Sequence, residues 1–333
     1  MAYLLKPLEA GSLKLANRLV MPPMATAKAQ ENGMVSQELL DYYAEKSEGG
    51  YIGLIIIEHS FVQQEGKSGK RQLSAAEDNM VEGLSKLAKA IQRNGSKGVL
   101  QINHAGSAAT KEITGKIPVA PSVTIQRGKD NMLHELTRQE IMEIVQAFGE
   151  AAGRAKQAGF DGVEIHSAHG YLLNQFFSPL TNKRLDAYGG DVLNRIKIHL
   201  QIIETVRKVV GEKFPILLRL GAMDFIEGGT TIEESLLAAR EFAKAGVTIL
   251  DISRGFSGYN MGLTGQGYLA HLSEAIKKVI SIPVLVTGGI TEIQAAERLL
   301  VQGKADLIGV GRAILYDSEW ARNAIQSLSD SRE

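Results

Sequence analysis

Two histidines three residues apart, His166 and His169, stand with Tyr171 in the stretch IHSAHGYLLNQ (165–175), directly after the apolar-flanked FDGVEI. Their spacing admits three chemistries. As metal ligands they would want a third protein ligand and an open position, for which Glu58, His59 and His104 are candidates, each following an apolar run. As a structural pair they would satisfy their own hydrogen bonds inside the fold. As donors they could hold one oxygen that gains negative charge, with no metal required. Tyr171 would then be the acid: a phenol with an ordinary pKa of about 10 is weak, but it can protonate a carbanion or enolate.

Two glycine strings follow the last two apolar runs, VTGGI (286–290) and GVGRAIL (309–315). Gly288, Gly289 and Gly311 would let backbone N–H groups approach a phosphate that Arg312 can clamp, at the position where barrels commonly bind one. The plainer reading is a pair of tight turns. GQGYLA (265–270) fits a loose dinucleotide fingerprint, but it follows GFSGYNMGLT rather than a strand and is read as chance. Arg219, inside the apolar run ILLRLG, needs a carboxylate partner or an anionic ligand. Gln101 closes another run with donor and acceptor on one amide, suited to an imide-like edge. Pro23 and Met24 follow the first run, and Asp224 and Asp251 are acids or bases of unassigned role.

These residues sit at the ends of eight apolar runs, each short enough to be a buried parallel strand: 18–24, 52–58, 97–103, 162–166, 215–221, 247–253, 282–289 and 305–311. Between them lie amphipathic stretches such as 137–159, 192–211 and 231–246, several closing on Gly as helices often do. Eight strands alternating with helices predict an α/β fold, a (β/α)8 TIM barrel, with a doubly wound sheet as the alternative. The long non-helical stretches 103–132 and 178–190 then cover the C-terminal face, where barrel catalysis resides. A chain of 333 residues suits one such barrel. Lys+Arg and Asp+Glu balance at 37 each, which argues for a small-molecule ligand over nucleic acid or an anionic membrane. With no cysteine, thiolate metal sites, iron–sulfur clusters and cysteine nucleophiles are excluded. No apolar run reaches membrane-spanning length and the N-terminus lacks a leader-like core, so the expected location is cytoplasmic.

With His166, His169, Tyr171, Asn194 and Arg195 assembled, the segment HSAHGYLLNQFFSPLTNKRLDAYGGDVLNR (166–195) resembles the signature of the Old Yellow Enzyme family of FMN-dependent oxidoreductases. Weaker likeness runs from LKLANRLVMPPM to GVGRAIL, covering almost the whole chain. The resemblance implies a barrel holding FMN at its C-terminal mouth, with residues 1–333 as one FMN-binding domain. It implies that Pro23, Met24 and Ala25 contact the flavin ring, that His59 lines it through its backbone, and that Gln101 holds the pyrimidine edge. Arg219 would face N1 and O2, while Gly288, Gly289, Gly311 and Arg312 would bind the phosphate. NADH or NADPH would reduce the flavin, which would pass hydride to the β-carbon of an α,β-unsaturated carbonyl compound. His166 and His169 would hold the carbonyl oxygen and Tyr171 would protonate the α-carbon. Family members vary in oligomeric state, and a homo-oligomer is compatible with the resemblance.

Several positions depart from the family's pattern. Ala25 stands where Thr or Cys often tunes the flavin, Ala27 and Lys28 stand where an aromatic substrate wall is common, and His59 replaces a small residue. Arg254 adds an anion-binding side chain near the mouth, which suggests a substrate with a carboxylate. Larger relatives append an iron–sulfur segment and a second nucleotide-binding domain; with no cysteine and an end at Glu333, this chain is expected to resemble the single-domain branch. Two competing functions remain open at this level: a metal-dependent barrel hydrolase using the histidine pair, and a flavoprotein with a diverged substrate.

Overall fold

Each of the eight apolar runs forms a strand, and the strands close in chain order into one parallel barrel. They are β1 (Leu19–Met21), β2 (Leu54–Phe61), β3 (Lys97–Asn103), β4 (Gly162–Ser167), β5 (Ile216–Gly221), β6 (Ile249–Ser253), β7 (Val284–Thr287) and β8 (Leu307–Gly309). The computed structural model describes residues 1–123, 132–256 and 263–330. Closure removes the exposed edges that an open sheet would carry, so the doubly wound alternative is excluded.

Strand side chains alternate between barrel interior and helix-facing surface, and this alternation splits the interior into two layers. The lower layer is apolar and fully buried: Val20, Leu54, Ile56, Val99, Leu217, Ile249, Leu285 and Leu307 form one cluster. One or two steps further along each strand the same inward face turns polar, carrying Glu58, Gln101, Glu164, His166, Arg219 and Asp251. A hairpin of Leu8–Ala10 and Leu13–Leu15, absent from the sequence reading, closes the lower end. Its Leu8, Ala10, Leu13 and Leu15 join the interior cluster. Without that plug the lower layer would face water, at a cost of roughly 1.5–3 kcal/mol per large side chain exposed.

Helices pack outside. The helix Arg138–Gln157 starts from a capping box in which Thr137 and Glu140 satisfy each other's backbone N–H, and Ile232–Lys244 starts from another, Thr231 with Glu234. The helix expected over 192–211 is broken into Val192–Arg195 and Lys197–Val210. Asp191 caps the first turn, and the Arg195 side chain is drawn inward to the Phe177 and Gly190 carbonyls, so the axis bends at Ile196. The stretch 103–132 is less irregular than expected: it holds Gly106–Ala108, Lys111–Thr114 and Val119–Ala120, the last paired with His134–Glu135. Among the described residues no helix is long and apolar enough to cross a membrane.

Candidate active site

A cavity of about 350 Å³ opens at the C-terminal mouth of the barrel. Pro23, Met24 and Ala25 line it from the loop after β1, His59 from β2 and Gln101 from β3. His166, His169 and Tyr171 come from β4 and its loop, Arg219 from β5 and Arg254 from the residue after β6. Gly288 and Gly289 follow β7, and Gly311 and Arg312 follow β8. Ala27 and Lys28 lie outside it. Lys28 Nζ pairs instead with Glu38 Oε1 at 2.6 Å near the surface, and Ala27 takes a left-handed turn at φ 54°.

Strand register assembles the polar floor. His166 lies beside Arg219, Arg219 beside Asp251, and Gln101 beside Glu164 on adjacent strands. Arg219 Nε meets Asp251 Oδ2 at 3.2 Å, so the structural-partner reading of this arginine holds while the same side chain also faces the cavity. The Gln101 amide donates to Glu164 Oε2 at 2.7 Å. Burial raises the pKa of Asp251 to about 6. Burial first, then the charge of Asp251, raises that of Glu164 above the usual carboxylate range, against the pull of Arg219.

Glycine backbone forms the opposite end. At Gly309 a Cβ would lie 1.9 Å from Thr287 Oγ1, so only a residue without a side chain passes there. Gly289 adopts φ 65°, which glycine takes without strain, and a Cβ on it would lie 2.4 Å from the Gly265 carbonyl oxygen. Tyr268 and Leu269, in the fragment set aside as a chance match, pack against this end and line the cavity, and Gly267 N–H donates to the Gly288 carbonyl at 2.8 Å.

On the histidine wall, His169 Nδ1 and His166 Nε2 are 3.3 Å apart and His169 Nε2 lies 2.6 Å from Ser253 Oγ. A serine hydroxyl donating to Nε2 puts the His169 proton on Nδ1, the nitrogen turned toward its partner. Burial first, then the charge of Arg219, holds His169 well below the usual histidine range. His166 is lowered likewise by burial and its neighbours, so both rings are neutral near pH 7. His169 sits at φ 61°, a conformation that costs a residue with a Cβ roughly 1–2 kcal/mol. The turn is held by Gly170 N–H on Asn174 Oδ1 at 2.8 Å and by the Gln175 amide on the Gly170 carbonyl at 2.7 Å. Tyr171 stacks edge-on to His166 with ring centroids 5.2 Å apart, and 5.3 Å from His59. Burial raises its pKa above the ordinary phenol value, partly offset by a hydrogen bond with Ser68. The Gln72 amide donates to His59 Nδ1 at 2.6 Å and accepts from Ser68 N–H at 2.7 Å, tying the two together. Burial and Arg219 lower the His59 pKa to about 4.

The candidate third metal ligands are engaged elsewhere. Glu58 accepts from the Thr26 backbone and hydroxyl, His59 from Gln72, and His104 Nδ1 from Gly106 N–H at 3.1 Å. Among the described residues no group of three or more His, Asp or Glu is arranged to hold a metal ion. Much of the 178–195 signature is scaffold: Arg184 donates to the Pro121 and Leu136 carbonyls, and Asn182 to those of Phe176 and Tyr188. Glu164, Ser253, Thr287 and Gln72 were not singled out in the sequence. Glu164 alone had a visible signal, a charge two residues before His166 in a strand and so on the same face.

The cavity fits a flavin mononucleotide. It offers a glycine end without side chains beside Arg312, a buried Thr287 hydroxyl without a partner among the described residues, and an amide and a guanidinium for a polar ring edge. A closed parallel barrel with those features and a neutral histidine pair at its mouth defines a flavin-binding (β/α)8 barrel. The chain belongs to the NADH:flavin oxidoreductase / NADH oxidase family, whose model matches residues 3–331. This is the Old Yellow Enzyme family to which the signature segment pointed, and its cofactor is FMN. The chain is 44% identical over 94% of its length to an NADH oxidase of Thermoanaerobacter brockii, but spans only 49% of that protein. It is 37% identical to an NADPH dehydrogenase of Clostridium acetobutylicum, covering 98% of this chain and 95% of the relative. A solved Old Yellow Enzyme homologue from Zymomonas mobilis superposes with a TM-score of 0.85 at 28% identity, covering 97% of this chain and 92% of that one.

Proposed function

We propose that residues 1–333 act as one FMN-binding unit and that the protein is an NAD(P)H-dependent ene-reductase of α,β-unsaturated carbonyl compounds. The observation that carries this reading is the pair of neutral ring nitrogens, His166 Nε2 and His169 Nδ1, 3.3 Å apart on the cavity wall. With protons on His166 Nε2 and His169 Nδ1, one carbonyl oxygen bound between the rings can accept from both, replacing the contact that the two rings make with each other. Bound FMN supplies hydride transfer, taken from a reduced nicotinamide and given to the substrate's β-carbon.

The chain's own residues do the rest. His166 and His169 stabilise negative charge as it develops on the substrate oxygen, each donor being worth about 10²–10³ in rate. Because both rings are buried and neutral, they donate without ionising. Tyr171 gives its phenolic proton to the α-carbon, and its hydrogen bond with Ser68 favours the phenolate that results. Gln101, Arg219, the glycine end and Arg312 would hold the cofactor.

The test is anaerobic. NADH and NADPH should bleach the yellow holoenzyme, and enones should restore its colour. His166→Ala and His169→Ala should keep their flavin but lose binding of phenolic ligands, which mimic the enolate. Tyr171→Phe should bind those ligands while its kcat falls. Loss of flavin from both histidine variants would overturn these roles.

A further inference from the structure

Arg254 is buried to 4% exposure, yet it makes no ion pair or hydrogen bond through its side chain with any described residue. Its guanidinium carbon stands 5.2 Å from the centroid of the Phe225 ring, an aromatic face that steadies a cation without neutralising it. Nearby carboxylates are spent. Asp251 faces Arg219, and Asp224 accepts from Phe256 N–H, Thr230 N–H and the Ser178 hydroxyl. That Asp224 network clamps the loops carrying Phe225 and Arg254 together, and Gly255 N–H adds a bond to the Met223 carbonyl at 2.9 Å. Phe225 itself is held at φ 54°. A buried cation held in place without a counter-charge is costly unless a ligand brings the anion.

Its position says which ligand. Arg254 lines the cavity beside the histidine pair: its carbonyl accepts the His169 N–H at 3.3 Å, and the preceding Ser253 contacts the His169 ring. The phosphate-type glycines and Arg312 lie on the loops after β7 and β8 instead. We infer that Arg254 binds a carboxylate on the substrate, making this protein selective for unsaturated carbonyl compounds that carry a second, acidic group. This rests on the ene-reductase reading for the identity of the substrate, but not for the binding of the anion.

A matched pair of compounds tests it: monomethyl fumarate, which has a free carboxylate, and dimethyl fumarate, in which that group is an ester. Both can be used without alkylating a thiol, since the chain has no cysteine. Titration of the oxidised holoenzyme, followed by the flavin spectrum, should show tighter binding of the acid by about tenfold or more, as a charge-assisted contact requires. Arg254→Met should abolish that preference while leaving the diester's Kd and the flavin content unchanged. Arg254→Lys, which keeps the charge and guards against a folding defect, should retain part of it. Equal binding of acid and ester by the wild type, or a preference that survives in Arg254→Met, overturns the inference. So does release of flavin from Arg254→Met, which would assign the arginine to the cofactor. If the titration shows the preference but neither compound reoxidises the reduced flavin, the ene-reductase reading fails and the anion site stands.

Discussion

Glu58 offers a quantitative test of how the barrel mouth is built. Its carboxyl lies buried beneath the loop that carries Met24 and Ala25, accepting hydrogen bonds from the Thr26 backbone and hydroxyl. Burial outweighs those bonds and raises its pKa from 4.5 to about 7. For an acid raised on folding, the native state is favoured fully below the unfolded value, and that advantage is lost as pH rises through the folded one. The pH window is therefore set between those two values. From them, the ionised carboxylate costs the fold about 3 kcal/mol by pH 8.5, of which roughly 2 kcal/mol develops between pH 5.5 and pH 8.5. Glu58→Gln keeps the volume and an acceptor for Thr26 but cannot ionise. Urea denaturation of both holoenzymes at the two pH values should then show the variant gaining on the wild type by roughly 2 kcal/mol as pH rises. Other buried acids, Glu164 and Asp251, titrate in both proteins and cancel. A difference that does not change with pH would refute the assignment of a strained, buried carboxyl under the cofactor loop.

Two further outcomes probe the site from other directions. Gly309→Ala places a methyl group where 1.9 Å separates it from the Thr287 hydroxyl, so the loops after β7 and β8 must part. Overpacking of this kind costs about 1–3 kcal/mol, and flavin content after dialysis should fall well below wild type while the far-ultraviolet spectrum is kept. Ser253→Ala removes the partner of His169 Nε2 at 2.6 Å and frees the ring to change tautomer. Its kcat should fall about tenfold with flavin retained, as expected for losing orientation of one donor; an unchanged kcat would mean that Ser253 does not set the proton's position.

How much of this was written locally can be judged residue by residue. The eight runs were legible because a buried parallel strand is a short apolar block, and the helices because apolar residues recur at their own period. The glycines after β7 and β8 and the histidines at and just beyond the end of β4 were legible because each lies at a strand end, and strand ends in a barrel share one face. Arg219 announced that it needed a partner without naming Asp251. The hairpin plug escaped because three-residue strands carry too little pattern to distinguish from a loop. Ala27 and Lys28 were placed in the substrate wall by analogy, but the left-handed turn at Ala27 and the pull of Glu38 on Lys28 take them out of it.

The amino-acid sequence by itself determined the barrel, the end of it that carries chemistry, and the side chains available there, since all three follow from patterns within single strands and their flanking turns. Only the closed structure decided which of those side chains meet. Pairing of Gln101 with Glu164, Arg219 with Asp251 and His169 with Ser253 depends on the register of neighbouring strands and the course of the loops between them. The same closure left Arg254 buried with no carboxylate among the described residues to face. Register is set by packing all eight strands at once, so no stretch of the chain read alone contains it.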